Sequence, residues 1–176
     1  MKSIDEMLDA VAKNLQTAPP KETVHTNSFE QPKISPKPEY EGLTLKFAKE
    51  IAYAVETAAK SIGVNVVIAV RDAGANLILL HAMDDSYIAS VQIAQDKAYT
   101  AVSLKMPTHE ALAASRGGAL DGLTNGNGII LLGGGEPLEA NGKIFGAIGV
   151  SGGTKEQDIL LSQLGNRYFR TRLKIN

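Results

Sequence analysis

The chain opens with Ile4, Met7, Leu8, Val11 and Leu15 spaced three, one, three and four apart, with Lys2, Asp5, Glu6, Asp9 and Lys13 between them. That spacing lines the apolar residues on one face of a helix. Ser3 as N-cap and Glu6 three residues later form a capping-box pattern, so a helix over about 4–16 is expected, ended by Pro19 and Pro20. Residues 17–42 hold five of the seven prolines and few apolar positions. They read as a linker with a reach of about 30 Å as a coil and about 80 Å as polyproline II. An isolated helix this short is marginal in water, so its apolar face calls for a partner surface.

From Leu43 the pattern becomes that of a packed domain over 43–176. Leu43, Phe47, Ile51, Ala54, Val55, Ala58 and Ile62 recur at helical spacing, with Thr44 as cap and Gly63 as stop. The β-branched run 64–71, the turn Asp72–Ala75 and the apolar run 76–83 predict a hairpin. A helix over about 86–104, capped by Asp84 or Asp85, presents Ile88, Val91, Ile93, Ala94, Ala98, Ala101 and Val102. A shorter helix over 107–115, a glycine-rich loop, a strand over 129–132 and a turn at Gly133–Leu138 are expected next. The hairpin turn Asn141–Lys143, a strand beginning at Ile144 and a helix over 154–166 complete the chain. Hairpins without a regular βαβ repeat predict an α+β fold with an antiparallel sheet covered by helices.

Composition narrows the function. The formal net charge of -1 leaves no excess of cations to neutralise phosphates, which argues against nucleic-acid binding. The absence of cysteine excludes disulfides, thiolate metal sites and a cysteine nucleophile. No apolar run approaches the ~20 residues of a membrane span, and no secretory signal is present, so a cytoplasmic location is the expectation.

Few residues carry chemistry. The turn Ser151, Gly152, Gly153 and Thr154 joins a strand to a helix, where free N–H groups favour an anion such as a carboxylate. Thr154 with Gln157 equally forms a capping box. His81 and His109 show no metal-chelating spacing, but either imidazole would serve as a single axial ligand to a haem iron or corrinoid cobalt. Lys97, with Gln92, Asp96 and Thr100, reads as a polar patch on a helix. With Arg116 it is a candidate for holding acidic side chains. A triad of Ser151, His81 and Asp72 lacks the nucleophile-elbow context. The glycine run Gly133–Gly135 does not match a nucleotide-binding fingerprint.

The blocks AVRDAGANLI, HAMDDSYIASVQIAQDKAYTA, LKMPT, GGGEPL and GAIGVSGGTKEQD occur in this order over 43–165. Together they resemble the GlcG/HbpS family, particularly the C-terminal domain of PduO-type proteins. The resemblance implies a profilin-like antiparallel sheet, homo-oligomers, and haem or corrinoid binding in some members, without an established reaction. The family usually has an arginine ahead of the Met-Asp pair where this chain reads His81-Ala82-Met83-Asp84. The N-terminal helix, with its face of Ile4, Met7, Leu8, Val11 and Leu15, is similar to peptides that lead enzymes into bacterial microcompartments. The expected function is therefore an accessory haem- or corrinoid-binding protein of a microcompartment lumen, partnered by shell or core protein. An enzyme using Asp84, Lys97 and His109, and an oligomeric scaffold without ligand, are the rival readings.

Overall fold

The computed structural model describes residues 42–173. The expected helix at 4–16 and most of the linker lie outside them. The described domain contains helices α1 (Leu45–Ser61), α2 (Ile88–Leu104), α3 (Thr108–Ala114) and α4 (Lys155–Arg172), and strands β1 (Val67–Asp72), β2 (Leu77–Ala82), β3 (Gly135–Ala140) and β4 (Lys143–Ser151). The four strands form one antiparallel sheet in the order β2-β1-β4-β3. The α+β class holds.

Strand alternation divides the sheet into two faces. Ile68, Val70, Ile148, Val150 and Leu138 face α1 and α4, where Ile51, Val55, Leu161 and Phe169 complete the main core. Val67 and Ala69 face α2 and meet Ala94 and Ala98. Small residues let this helix lie close to the sheet: a Cβ at Gly149 of β4 would overlap the carbonyl oxygen of Ala94.

Several elements differ from their sequence expectation. The expected turn at Gly133–Leu138 is mostly strand, because Pro137 sits on the sheet's edge strand, where a missing N–H is tolerated. The expected strand at 129–132 does not form. Its N–H groups go to side chains instead, Ile130 donating to Thr100 Oγ1 (2.8 Å) and Leu131 to Asn125 Oδ1 (2.8 Å). Helix α2 starts at Ile88 with Tyr87 as N-cap and no side-chain cap bond, so neither Asp84 nor Asp85 caps it. Helix α4 runs on to Arg172, carried by the buried stripe Asp158, Leu161, Ser162, Gly165 and Phe169. The Asn141–Gly142 turn forms as expected, both residues having positive φ.

Candidate functional site

At one end of the sheet, the finish of β2 and β4 meets the start of β1 and α4. Three clefts gather there. One of 260 Å³ is lined by Glu56, Lys60, Asn65, His81, Ala82, Met83 and Asp84. The next, of 510 Å³, shares Asn65 and adds Tyr87, Gly152, Gly153, Thr154 and Gln157. The third, of 220 Å³, shares Gly153 and adds Ile93, Leu132, Ser151 and Lys155 above Lys97 and Asp158. Among the described residues no group of three or more His, Asp or Glu is placed to chelate a metal.

His81 sits on β2 opposite Ile68, and its Nε2 lies 2.9 Å from Glu56 Oε2 on α1. Glu56 also accepts from Lys60 Nζ one helical turn on, and this bond holds the Glu56 carboxyl below the usual carboxylate range. An imidazole bonded through one nitrogen to a carboxylate is oriented and made more basic at the other. His81 is half-exposed at the cleft rim. His109 lines none of the three clefts. Its buried Nδ1 has no hydrogen-bond partner among the described residues, and its Nε2 is 4.0 Å from Glu110.

The sequence pattern places Lys97 in a polar patch with Gln92, Asp96 and Thr100 on its helix. Lys97 is buried, and Nζ donates to Asp158 Oδ2 (2.7 Å) and to the carbonyl of Val150 (2.9 Å). The other oxygen of Asp158 accepts from the Gly153 N–H at 2.9 Å. Burial pushes Lys97 down and Asp158 up, each toward its neutral form, while their mutual attraction opposes both shifts. The Gly133–Gly135 run closes over this pair. A Cβ at Gly134 would stand 3.0 Å from Lys97 Nζ and 2.8 Å from the Cβ of Asp158. These glycines bring backbone against a buried ion pair.

The turn Ser151–Thr154 is engaged within the chain. Gly153 serves Asp158, the Thr154 N–H donates to Gln157 Oε1 (2.8 Å), and the Gln157 N–H returns to Thr154 Oγ1 (3.2 Å). Ser151 Oγ is paired with Ser90 Oγ at 3.2 Å. Gly152 and Gly153 still line the 510 Å³ cleft. Arg116, exposed in the turn after α3, lines none of the three clefts. The geometry thus brings together His81 with Glu56 and Lys60, and Lys97 with the 151–154 turn. His109 and Arg116 stand apart from both.

Asp158, Asn65, Glu56 and Tyr87 were not singled out from sequence. Asp158 had a signal: it shares the buried helical spacing of Leu161, Gly165 and Phe169, where a lone carboxylate demands a partner. Asn65 and Tyr87 had none, because loop residues converge only through the tertiary fold.

Residues 43–165 match the family described as haem degrading protein HbpS-like. A 15.0 kDa protein of Citrobacter freundii, from the dhaT-dhaS intergenic region, is 49% identical over 69% of this chain and 87% of its own length. The corrinoid adenosyltransferase PduO of the same organism is 31% identical over 80% of this chain, which spans only 41% of that protein. Among solved structures, Klebsiella pneumoniae ORFY superposes with TM-score 0.69 at 42% identity, covering 77% of this chain and 96% of its own. A complex of PduOC with haem gives 0.67 at 31% identity, covering 72% and 94%. A double mutant of Streptomyces reticuli HbpS gives 0.68 at 30%, covering 74% and 89%.

Proposed function

From the premise that the chain belongs to the HbpS-like family, we propose that it binds haem at the His81 end of the sheet and acts as an accessory carrier, sensor or reactivation helper. The observation that carries this is the likeness to a domain solved in complex with haem, together with an oriented imidazole in a cleft. The residues fit the group. His81 offers one axial nitrogen, Lys60 a cation for a propionate, and Met83, Val64 and Tyr87 apolar surface along the two clefts joined at Asn65. When bound, haem supplies an iron with ligand-exchange and electron-transfer chemistry. The protein's own contribution is to hold and orient it, with Glu56 fixing the His81 ring.

The test is an absorption titration with haemin. A saturable Soret shift at one equivalent supports the reading, and a spectrum equal to free haemin contradicts it. The PduO likeness favours a second ligand, a corrinoid, and cobalamin in a parallel titration separates the two. The family's description favours a second activity, haem breakdown. Decay of the bound Soret band under a reductant in air supports turnover, whereas a stable band supports carriage.

Residues 1–16 are read as the address that leads the domain into a microcompartment, through shell or core protein. Fusion of residues 1–20 to a fluorescent reporter should carry the reporter into purified shells. Loss of residues 1–20 should leave the full domain outside them, and undiminished co-purification would contradict this role.

A further inference from the structure

The 220 Å³ cleft takes no part in the haem reading, and Lys97 and Asp158 form part of its wall together with Ile93, Leu132, Gly133 and Ser151. A buried ion pair that only joined two helices would be matched or bettered in stability by apolar residues of the same volume. This pair joins α2 to α4 and also borders a cavity. Its bonds to Asp158 Oδ2 (2.7 Å) and the Val150 carbonyl (2.9 Å) account for two of the three N–H donors of the Lys97 ammonium. The Gly153 N–H fixes the other carboxylate oxygen at 2.9 Å, so Asp158 is held in place against Nζ.

A proton passed from Nζ to Oδ2 along the 2.7 Å bond leaves a neutral amine beside a neutral acid. Burial favours both of these forms. An exposed lysine keeps its proton near neutral pH, and its lone pair is then occupied. A desolvated lysine with a proton acceptor at hand is instead a nucleophile toward carbonyl carbon. Ser151, the other nucleophilic group of the wall, has its hydroxyl paired with Ser90 at 3.2 Å. Ile93 and Leu132 give the cleft apolar wall for a short alkyl chain. In so small a space an aldehyde, with a hydrogen on its carbonyl carbon, meets Nζ with less crowding than a ketone.

We infer that Lys97 forms a reversible imine with a short aliphatic aldehyde held in this cleft, with Asp158 carrying the protons. Asp158 takes one proton from the ammonium, and the amine adds to the carbonyl carbon. The new C–N bond forms as the carbonyl π electrons move to oxygen, which receives that proton from Asp158. A second N–H proton follows the same route, the C–O bond breaks, and the oxygen leaves as water. A protonated imine then remains paired with the Asp158 carboxylate, so ammonium and aldehyde have become protonated imine and water without any oxidant or reductant.

The test needs no haem, so its outcome is separate from that of the haemin titration. The full chain is incubated at pH 6 with butanal and cyanoborohydride, which reduces an imine to a stable butyl amine, and peptides are mapped by mass spectrometry over time. Lys97 should be labelled about tenfold faster, or more, than the exposed Lys46, Lys49 and Lys105, which stay protonated at that pH. Leu132→Trp, at a partly exposed wall position, should slow labelling of Lys97 about tenfold by filling the cleft and leave the three exposed lysines unchanged. Ile93→Trp, at another wall position, is a second block if Leu132→Trp folds poorly. Labelling of Lys97 no faster than that of the exposed lysines, or fast labelling that folded Leu132→Trp and Ile93→Trp leave undiminished, would overturn the inference.

Discussion

Lys97 and Asp158 illustrate how much a single buried pair asks of its surroundings. Each is taken from water, and the network supplies partners on every side: Val150 and Asp158 for the ammonium, Lys97 and Gly153 for the carboxylate. Removing one member strands the other. Asp158→Asn is expected to cost about 3 kcal/mol or more, a drop on the order of 10 °C in a thermal melt. The double change Lys97→Met with Asp158→Leu should recover most of that loss, since an apolar pair has no charge to desolvate. Glu136 presents the opposite case. Burial pushes its carboxyl up to about 7, helped by the nearby charge of Glu110 and opposed by Asn166 and Arg170. The folded state therefore holds its proton more tightly than the unfolded chain, so the contribution of Glu136 to stability is fully present below about pH 4.5 and is lost as pH rises through about 7. Discounted for partial exposure, the loss is about 1–2 kcal/mol. Denaturant melts at pH 5 and pH 8 should show it in the wild type, and Glu136→Gln should flatten the difference.

At the scale of elements, the helices were legible where caps and periodicity agree. Thr44 accepts from the Phe47 N–H as its position implied, and the Thr154–Gln157 capping box is formed in full. Thr154→Ala should therefore cost about 1 kcal/mol, read as a lowered midpoint with an unchanged slope in urea. Where local signals and tertiary demands diverged, the sequence pattern misled. Glycines and a proline around 133–138 look like a turn, yet the close approach of α2 and the edge of the sheet are what they serve. The run Ile129–Leu132 looks like a strand, yet Thr100 and Asn125 take its N–H groups. Gly149 belongs to the same logic. Gly149→Ala would force α2 off the sheet, and a loss of several kcal/mol or failure to fold is expected, checked by circular dichroism of the purified variant.

For the whole molecule, the α+β class, with an antiparallel sheet covered by helices, and the family blocks could be read before any coordinates. The candidate site could be read only in pieces. The Lys97 and His81 side chains were visible as polar residues in apolar settings, but their partners Asp158 and Glu56 lie 61 and 25 residues away in sequence. Only the folded sheet end brings them together. It also separates two imidazoles that sequence alone could not rank: His81 opens on a cleft beside Glu56 and Lys60, whereas His109 lies away from the clefts at that end. The central claim is that the His81 end of the sheet holds haem. Its most direct test is a stoichiometric haemin titration of wild type, His81→Ala and His109→Ala, followed at the Soret band, with a thermal melt of each variant to confirm folding. The account predicts saturation at one equivalent for wild type and His109→Ala, and at least a tenfold weaker or absent transition for His81→Ala. Equal binding by His81→Ala, or its loss in His109→Ala alone, would contradict it.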